Sequence, residues 1–158
     1  MEFLEKNLED IIFKTNSLDL KKRGFIIQGK RFRQLRIGNY GIADMVTIEH
    51  NLSNEFESRS VIITVFEFKK NKLDLNSIAQ ATRYIRGIEI YLQKVDKFQD
   101  VFVDFKVVLV GKTLEYTGDF LYLCEYLSDK LDIYTYDYDF DGIKFKNQYG
   151  FSLINDGF

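Results

Sequence analysis

Along the chain, hydrophobic residues recur first at helical and then at strand spacing. Leu4, Leu8, Ile11 and Ile12 fall on one stripe of a helix, which predicts a first helix facing a core. Residues 17–24 have turn character, and Phe25-Ile26-Ile27, β-branched and bounded by Gly29, suits a short strand. A second strand is expected over 32–37. Gly38-Asn39-Tyr40-Gly41 signals a turn, after which 42–48 alternates in the manner of a strand, and the polar stretch 49–60 reads as a loop. The near-continuous β-branched and aromatic run 61–69 suits a central strand buried on both faces. Asn76 or Ser77 can cap a long second helix whose buried stripe is Ile78, Ala81, Ile85, Ile88 and Leu92. Another buried strand is expected over 102–110, then a helix over 119–127 and a hairpin over 133–145 turning near Asp141-Gly142. Apart from the short strand over 25–27, the order is α-β-β-β-α-β, followed by α-β-β.

Composition narrows this picture to one domain. A chain of 158 residues, 46% hydrophobic and 16% aromatic, can bury one sizeable core. Without any Pro, and with only 10 Gly, it has no flexible spacer that would mark a boundary. We therefore expect a single domain over 1–158, with a core over about 1–110 and an extension over 111–158. Cys124 is the only cysteine, so an internal disulfide, an iron–sulfur cluster and a thiolate zinc site are excluded, and a reducing, cytoplasmic setting is expected. The opening MEFLEKNLEDIIF lacks the apolar core of a signal peptide. No apolar run approaches the roughly 20 residues that span a bilayer, so no membrane partner is expected.

The net charge of -2 matters less than its distribution. Between Lys21 and Arg36 lie Lys22, Arg23, Lys30, Arg31 and Arg33 with no acid among them, whereas the chain from Asp96 onward is rich in Asp. That contrast argues against a uniformly basic DNA-coating protein. It leaves a local basic stripe, which either contacts phosphates or forms the solvated faces of edge strands; we favour phosphate contact through Lys30, Arg31, Arg33 and Arg36.

Glu67 and Lys69, two apart on a strand, project from one face while Phe66 and Phe68 project from the other. Burying both charges costs several kcal/mol unless each is paired or binds an ion. A plain salt bridge at the strand's exit is one explanation. A second isolated acid, Asp44, favours another, because pairing of its strand with 61–69 would bring two carboxylates together. Converging carboxylates recruit a cation, and oxygen-only donors suit Mg²⁺ or Mn²⁺. Such an ion beside an ammonium suits phosphodiester hydrolysis.

Gly41-Ile42-Ala43-Asp44, a loop, and then Glu67-Phe68-Lys69 resembles the motif of the PD-(D/E)XK nuclease superfamily, with Ala43 in place of the usual Pro. Gln80-Ala81-Thr82-Arg83-Tyr84 is similar to the Gln-x-x-x-Tyr motif of RecB-like nucleases. Together with Glu5-Lys6-Asn7-Leu8-Glu9, these segments look like the catalytic domain of NucS-type endonucleases, over about 1–110. The further N-terminal DNA-binding and dimerisation domain of NucS-type proteins is not matched, so their mismatch-cleaving specificity is not implied.

The resemblance implies a restriction-endonuclease-like αβββαβ core, a central mixed sheet flanked by helices, and a C-terminal helix and β-hairpin extension. It also implies a metal-dependent nuclease acting on DNA, with RNA left open. In that reading Asp44 and Glu67 bind Mg²⁺ (or Mn²⁺), Lys69 positions the water nucleophile, and Gln80 and Tyr84, with Arg83 between them, contact substrate. An acid on helix one would help to hold the metal. Glu5 lies nearer the edge of the apolar stripe than Glu9 and is the expected ligand, though both compete. The alternative is a non-catalytic nucleic-acid-binding or protein-interaction module of the same fold. His50, the only histidine, falls in the expected loop and supports no histidine chemistry. The Tyr/Asp alternation over 134–139 suggests an exposed edge strand that could pair with a second protomer to form a homodimer.

Overall fold

The computed structural model of the chain describes residues 3–52, 59–116 and 118–148. Among them the elements run α1 (Glu5–Lys14), α2 (Ser17–Lys22), β1 (Lys30–Arg36), β2 (Ile42–Leu52), β3 (Arg59–Phe68), β4 (Lys72–Leu73), α3 (Leu75–Gln93), β5 (Val101–Gly111), β6 (Thr113–Leu114), α4 (Asp119–Tyr126), β7 (Leu131–Asp139) and β8 (Gly142–Asn147). A six-stranded mixed sheet has the order β1-β2-β3-β5-β7-β8. Pairing is antiparallel across β1, β2 and β3, parallel across β3, β5 and β7, and antiparallel again at β8. This is the expected α/β architecture, a mixed sheet flanked by helices. As its composition suggested, β3 sits mid-sheet.

Each face of the sheet is covered by a different pair of helices. On one side α3 contributes Ile78, Ala81, Tyr84 and Ile88, and α4 contributes Phe120 and Cys124, packed on Ile63, Val65 and Leu109. On the other side Leu8 and Ile12 of α1 and Leu20 of α2 pack on Phe66, Phe68, Val110 and Tyr134. No described helix is long and apolar enough to cross a membrane.

Several elements differ from expectation for identifiable reasons. The expected turn over 17–24 contains α2, because the Asn16 side chain accepts the Asp19 N–H and Leu20 is fully buried. Phe25-Ile26-Ile27 is not a strand. Phe25 packs under the sheet, with its ring 4.6 Å from that of Tyr134, 4.9 Å from Phe145 and 6.2 Å from Phe66, and its N–H donates to the Leu20 carbonyl rather than to a strand. Its removal leaves the three core strands β1, β2 and β3. The expected loop over 49–60 shrinks at both ends, since β2 continues to Leu52 and β3 begins at Arg59; the middle, 53–58, lies outside the described residues. Asp74, rather than Asn76 or Ser77, caps α3, accepting from the N–H of both. On α1, Leu4 is exposed, leaving Leu8 and Ile12 as the buried stripe.

The 134–139 segment is not the edge strand of the sheet, although beyond Thr135 it pairs with β8 alone. β7 lies between β5 and β8, and Tyr134 and Tyr136 are buried. The true edge, β8, is partly occupied, because the Phe145 N–H donates to the Arg23 carbonyl and the Arg23 guanidinium donates to the Ile143 carbonyl at 3.1 Å.

Candidate active site

The site forms where two paired strands part. β2 and β3 are in register from Leu52 opposite Arg59 to Met45 opposite Phe66, and there the ladder stops. Beyond it the Phe68 N–H, which alternation aims at β2, would lose its partner. Oδ2 of Asp44 accepts it at 3.0 Å. Continuing the register would put Asp44 opposite Glu67, so the pairing of β2 with β3 brings the two acids to one place where the ladder ends.

Opposite Asp44 on β1, Gln34 lies between the pairs Arg33–Met45 and Leu35–Ala43 and has a φ of 49°, the positive φ among described non-glycine residues. This left-handed backbone costs roughly 1–2 kcal/mol at a residue bearing a side chain. The Gln34 amide donates to Oε2 of Glu9 at 2.8 Å. Gly41, just before β2, has a φ of 116° and lies so close to the Tyr84 ring that a Cβ there would approach it at 3.1 Å.

Glu67 is 3% exposed. Burial first, and then repulsion from Asp44, push its carboxyl up to about 7, against the attraction of Lys69. Asp44 is raised as well, chiefly by burial, although the Phe68 N–H and the Lys69 charge oppose the shift. The Lys69 ammonium lies 3.1 Å from Oε1 of Glu67 and donates to Oε1 of Gln80 at 2.9 Å. Burial disfavours its charge, but Glu67, Glu5 and Asp44 outweigh that and hold its pKa above the ordinary lysine value. Lys69 is therefore an ammonium at neutral pH. That suits orienting a nucleophile or offsetting negative charge.

A groove of about 700 Å³ opens beside Asp44, lined by Glu5, Glu9 and Asp10 of α1 and by Arg33 and Gln34 of β1. The two candidate acids of helix one are arranged contrary to the helical-wheel expectation. Glu9 is the buried one and forms an ion pair with Arg33, whereas Glu5 is exposed and uses Oε2 to accept the Lys70 N–H at 3.0 Å. Among the described residues, no three His, Cys, Asp or Glu side chains are gathered as a metal cluster. Asp44 and Glu67 remain a two-carboxylate oxygen set, which fits Mg²⁺ or Mn²⁺, since Mg²⁺ is commonly held by one or two carboxylates and keeps several waters.

The other expected site residues separate into three groups. Gln80 joins the centre through Lys69. Tyr84 is 5% exposed, with its ring in the α3 core and packed beside Gly41 just before β2. The basic stripe divides by its partners. The Arg31 guanidinium donates to the carbonyls of Ile12, Phe13 and Thr15 at the end of α1, and Arg33 pairs with Glu9 and Asp10, so both are committed to holding α1 on the sheet. Arg36 is exposed and pairs through its backbone with Ile42, while Arg83, over the Tyr84 ring, flanks the same start of β2 at Gly41. Exposed Lys30 lies at the other end of β1, roughly 20 Å from Arg36 at about 3.3 Å per residue.

Sequence reasoning did not find Gln34, nor Tyr136, whose hydroxyl donates to the Lys70 carbonyl at 2.6 Å. The Tyr/Asp alternation was a signal for Tyr136, but it pointed to an exposed strand.

The structure is similar to the crystal structure of a repair endonuclease from Pyrococcus abyssi, with a TM-score of 0.50 and 21% sequence identity. The match covers 84% of this chain and 46% of that one, so this chain spans less than half of that endonuclease. At this identity the likeness establishes an endonuclease-like fold. No protein-family model matches the chain, and neither does any curated protein.

Proposed function

We propose that this chain is a divalent-metal-dependent nuclease that hydrolyses phosphodiester bonds of DNA. The observation that carries the reading is the buried Glu67 carboxyl, raised to about 7, facing Asp44 where the ladder opens and paired at 3.1 Å with Lys69. A carboxylate pair that repels itself is poised to exchange protons for a cation. Asp44 and Glu67 would hold Mg²⁺ or Mn²⁺. When bound, such an ion stabilises the charge that develops on a phosphoryl group under attack. Lys69, kept cationic by its acidic neighbours, orients the attacking water and offsets charge in the transition state. Gln80 holds the ammonium from the α3 side. Arg36 and Arg83 supply phosphate contacts on the flank, and the endonuclease-like fold accords with this assignment.

The test incubates end-labelled single- and double-stranded DNA and RNA with the protein, with and without Mg²⁺ or Mn²⁺, beside Glu67→Ala. Metal-dependent cleavage of DNA by the wild type, lost in the variant, is expected; cleavage that survives Glu67→Ala, or none on any substrate, overturns the reading. A second reading, a nucleic-acid-binding module without turnover, draws on the absence of a three-acid cluster among the described residues. It predicts salt-dependent DNA binding that neither Mg²⁺ nor Glu67→Ala alters.

A further inference from the structure

Lys70, directly after the site lysine, is gripped through both sides of its backbone by elements distant in the chain. Its N–H donates to Oε2 of Glu5 on α1 at 3.0 Å, and its carbonyl accepts from the Tyr136 hydroxyl on β7 at 2.6 Å. Tyr136 is 4% exposed, and its ring centroid lies 5.5 Å from that of Phe3. Burial and the neighbouring Glu5 raise its pKa, so the phenol keeps the proton it donates.

The chain on either side is fastened as well. The Lys69 N–H donates to the Val110 carbonyl at 2.8 Å, and the Asn71 carbonyl accepts from the Lys112 N–H at 2.7 Å. Gly111 lets Leu73 pack against the strand end, where a Cβ would come within 2.6 Å of its Cγ. A turn held at this many backbone points fixes the direction in which its side chains leave. Lys69 reaches Glu67 and Gln80 from this turn.

We propose that Glu5 and Tyr136 are positioning residues that clamp the two backbone groups of Lys70 and so hold the Lys69 ammonium against Glu67. The inference rests on the nuclease reading above. It makes β7, outside the αβββαβ core, a working part of the site, and it gives Glu5 the role of a hydrogen-bond acceptor rather than a metal ligand.

The experiment uses the full chain carrying Tyr136→Phe, with Tyr134→Phe as a matched control. Tyr134 lies on the same face of the same strand and is equally buried, but its phenol oxygen accepts from the Ile26 backbone N–H and not from the turn at Lys70. Tyr136→Phe is expected to lower kcat about tenfold or more with KM for DNA within about twofold, because misplacement near 1 Å can cost about 100-fold. Tyr134→Phe is expected to keep kcat within about twofold of wild type. Glu5→Ala should lower kcat comparably to Tyr136→Phe, and Glu5→Gln, which retains an acceptor oxygen, should recover most of that loss. Equal losses in the two tyrosine variants, or no recovery with glutamine, overturn the clamp.

Amide exchange at Lys70 separates a failed clamp from a failed nuclease reading. If the wild type cleaves nothing, the function falls, and exchange alone decides the clamp. Faster exchange in Tyr136→Phe than in Tyr134→Phe upholds it, and equal exchange overturns it.

Discussion

Along β3, the residues up to Val65 and the last few meet different surroundings. Ile63 and Val65 are paired on both sides, with Ile48 and Val46 of β2 and with Phe105 and Val107 of β5, and their side chains lie in the core beneath α3. At Glu67 pairing continues only with β5, and an aspartate from β2 takes the N–H that the ladder would have satisfied. Where both neighbours are present the buried positions of β3, Val61, Ile63, Val65 and Phe66, are all apolar, since a carboxylate there would be buried without a partner. Where one neighbour departs, freed backbone groups and room for ions make a carboxylate pair and an ammonium sustainable. The difference teaches that the site is a local failure of the ladder whose vacated bonds are taken up by side chains.

The largest effect expected from this contrast is on chemistry. Lys69→Ala should leave the thermal midpoint close to wild type while cutting cleavage by at least about 100-fold, the usual scale for a lost transition-state donor. Rapid-quench assays measure it, and an unchanged rate would remove the functional half of the contrast.

On the paired side the effect should be purely on stability. Ile63→Ala is expected to cost about 2–5 kcal/mol in urea unfolding, with activity per folded molecule retained. A cost below about 1 kcal/mol would show that the closed part of the ladder is no better packed than the open one.

A pH titration sharpens the comparison. A carboxyl whose folded pKa exceeds its unfolded value binds its proton more tightly in the native state. The stability contributed by Glu67 is therefore fully present below about 4.5 and is lost as pH rises through about 7. In EDTA the loss should be on the order of 3 kcal/mol, with Asp44 and Asp132 acting in the same direction. Glu67→Gln should flatten much of this slope in denaturant melts at pH 5 and 8, and an unaltered slope would show that the carboxyl is not strained.

The smallest effects separate two arginines of β1. Arg31→Ala should lose about 2 kcal/mol of stability, the worth of charge-assisted bonds to the carbonyls ending α1, and leave the salt dependence of DNA binding intact. Arg36→Ala should shift stability by no more than about 0.5 kcal/mol and reduce the salt slope by about 1. Fluorescence anisotropy across a salt series distinguishes them, and identical behaviour would deny the division of the stripe.

Much of the fold was legible because long elements carry their own period. The run over 61–69, the α3 stripe and the hairpin turning at Asp141-Gly142 each needed only local alternation to be recognised. Phe25-Ile26-Ile27 misled because a short β-branched run looks the same whether it pairs at an edge or packs beneath a sheet. Tyr84 was left out of the expected α3 stripe because a motif resemblance gave it to the substrate, whereas its ring packs in the core beside Gly41. Arg31 and Arg33 looked like phosphate contacts because the acids and carbonyls that engage them lie at least 16 residues away in the chain.

By itself, the amino-acid sequence determined which residues could bear chemistry: an aspartate in one apolar strand, and a glutamate and a lysine on one face of another. Spacing along a strand dictates the face a side chain takes, and residue type dictates what burial costs it. Only the tertiary structure decided that β2 would leave β3 at Asp44, that Glu9 rather than Glu5 would be buried, and that Tyr136 would reach the Lys70 carbonyl. Those outcomes depend on register and on contacts between distant segments, which arise when whole elements dock and have no counterpart in any local pattern.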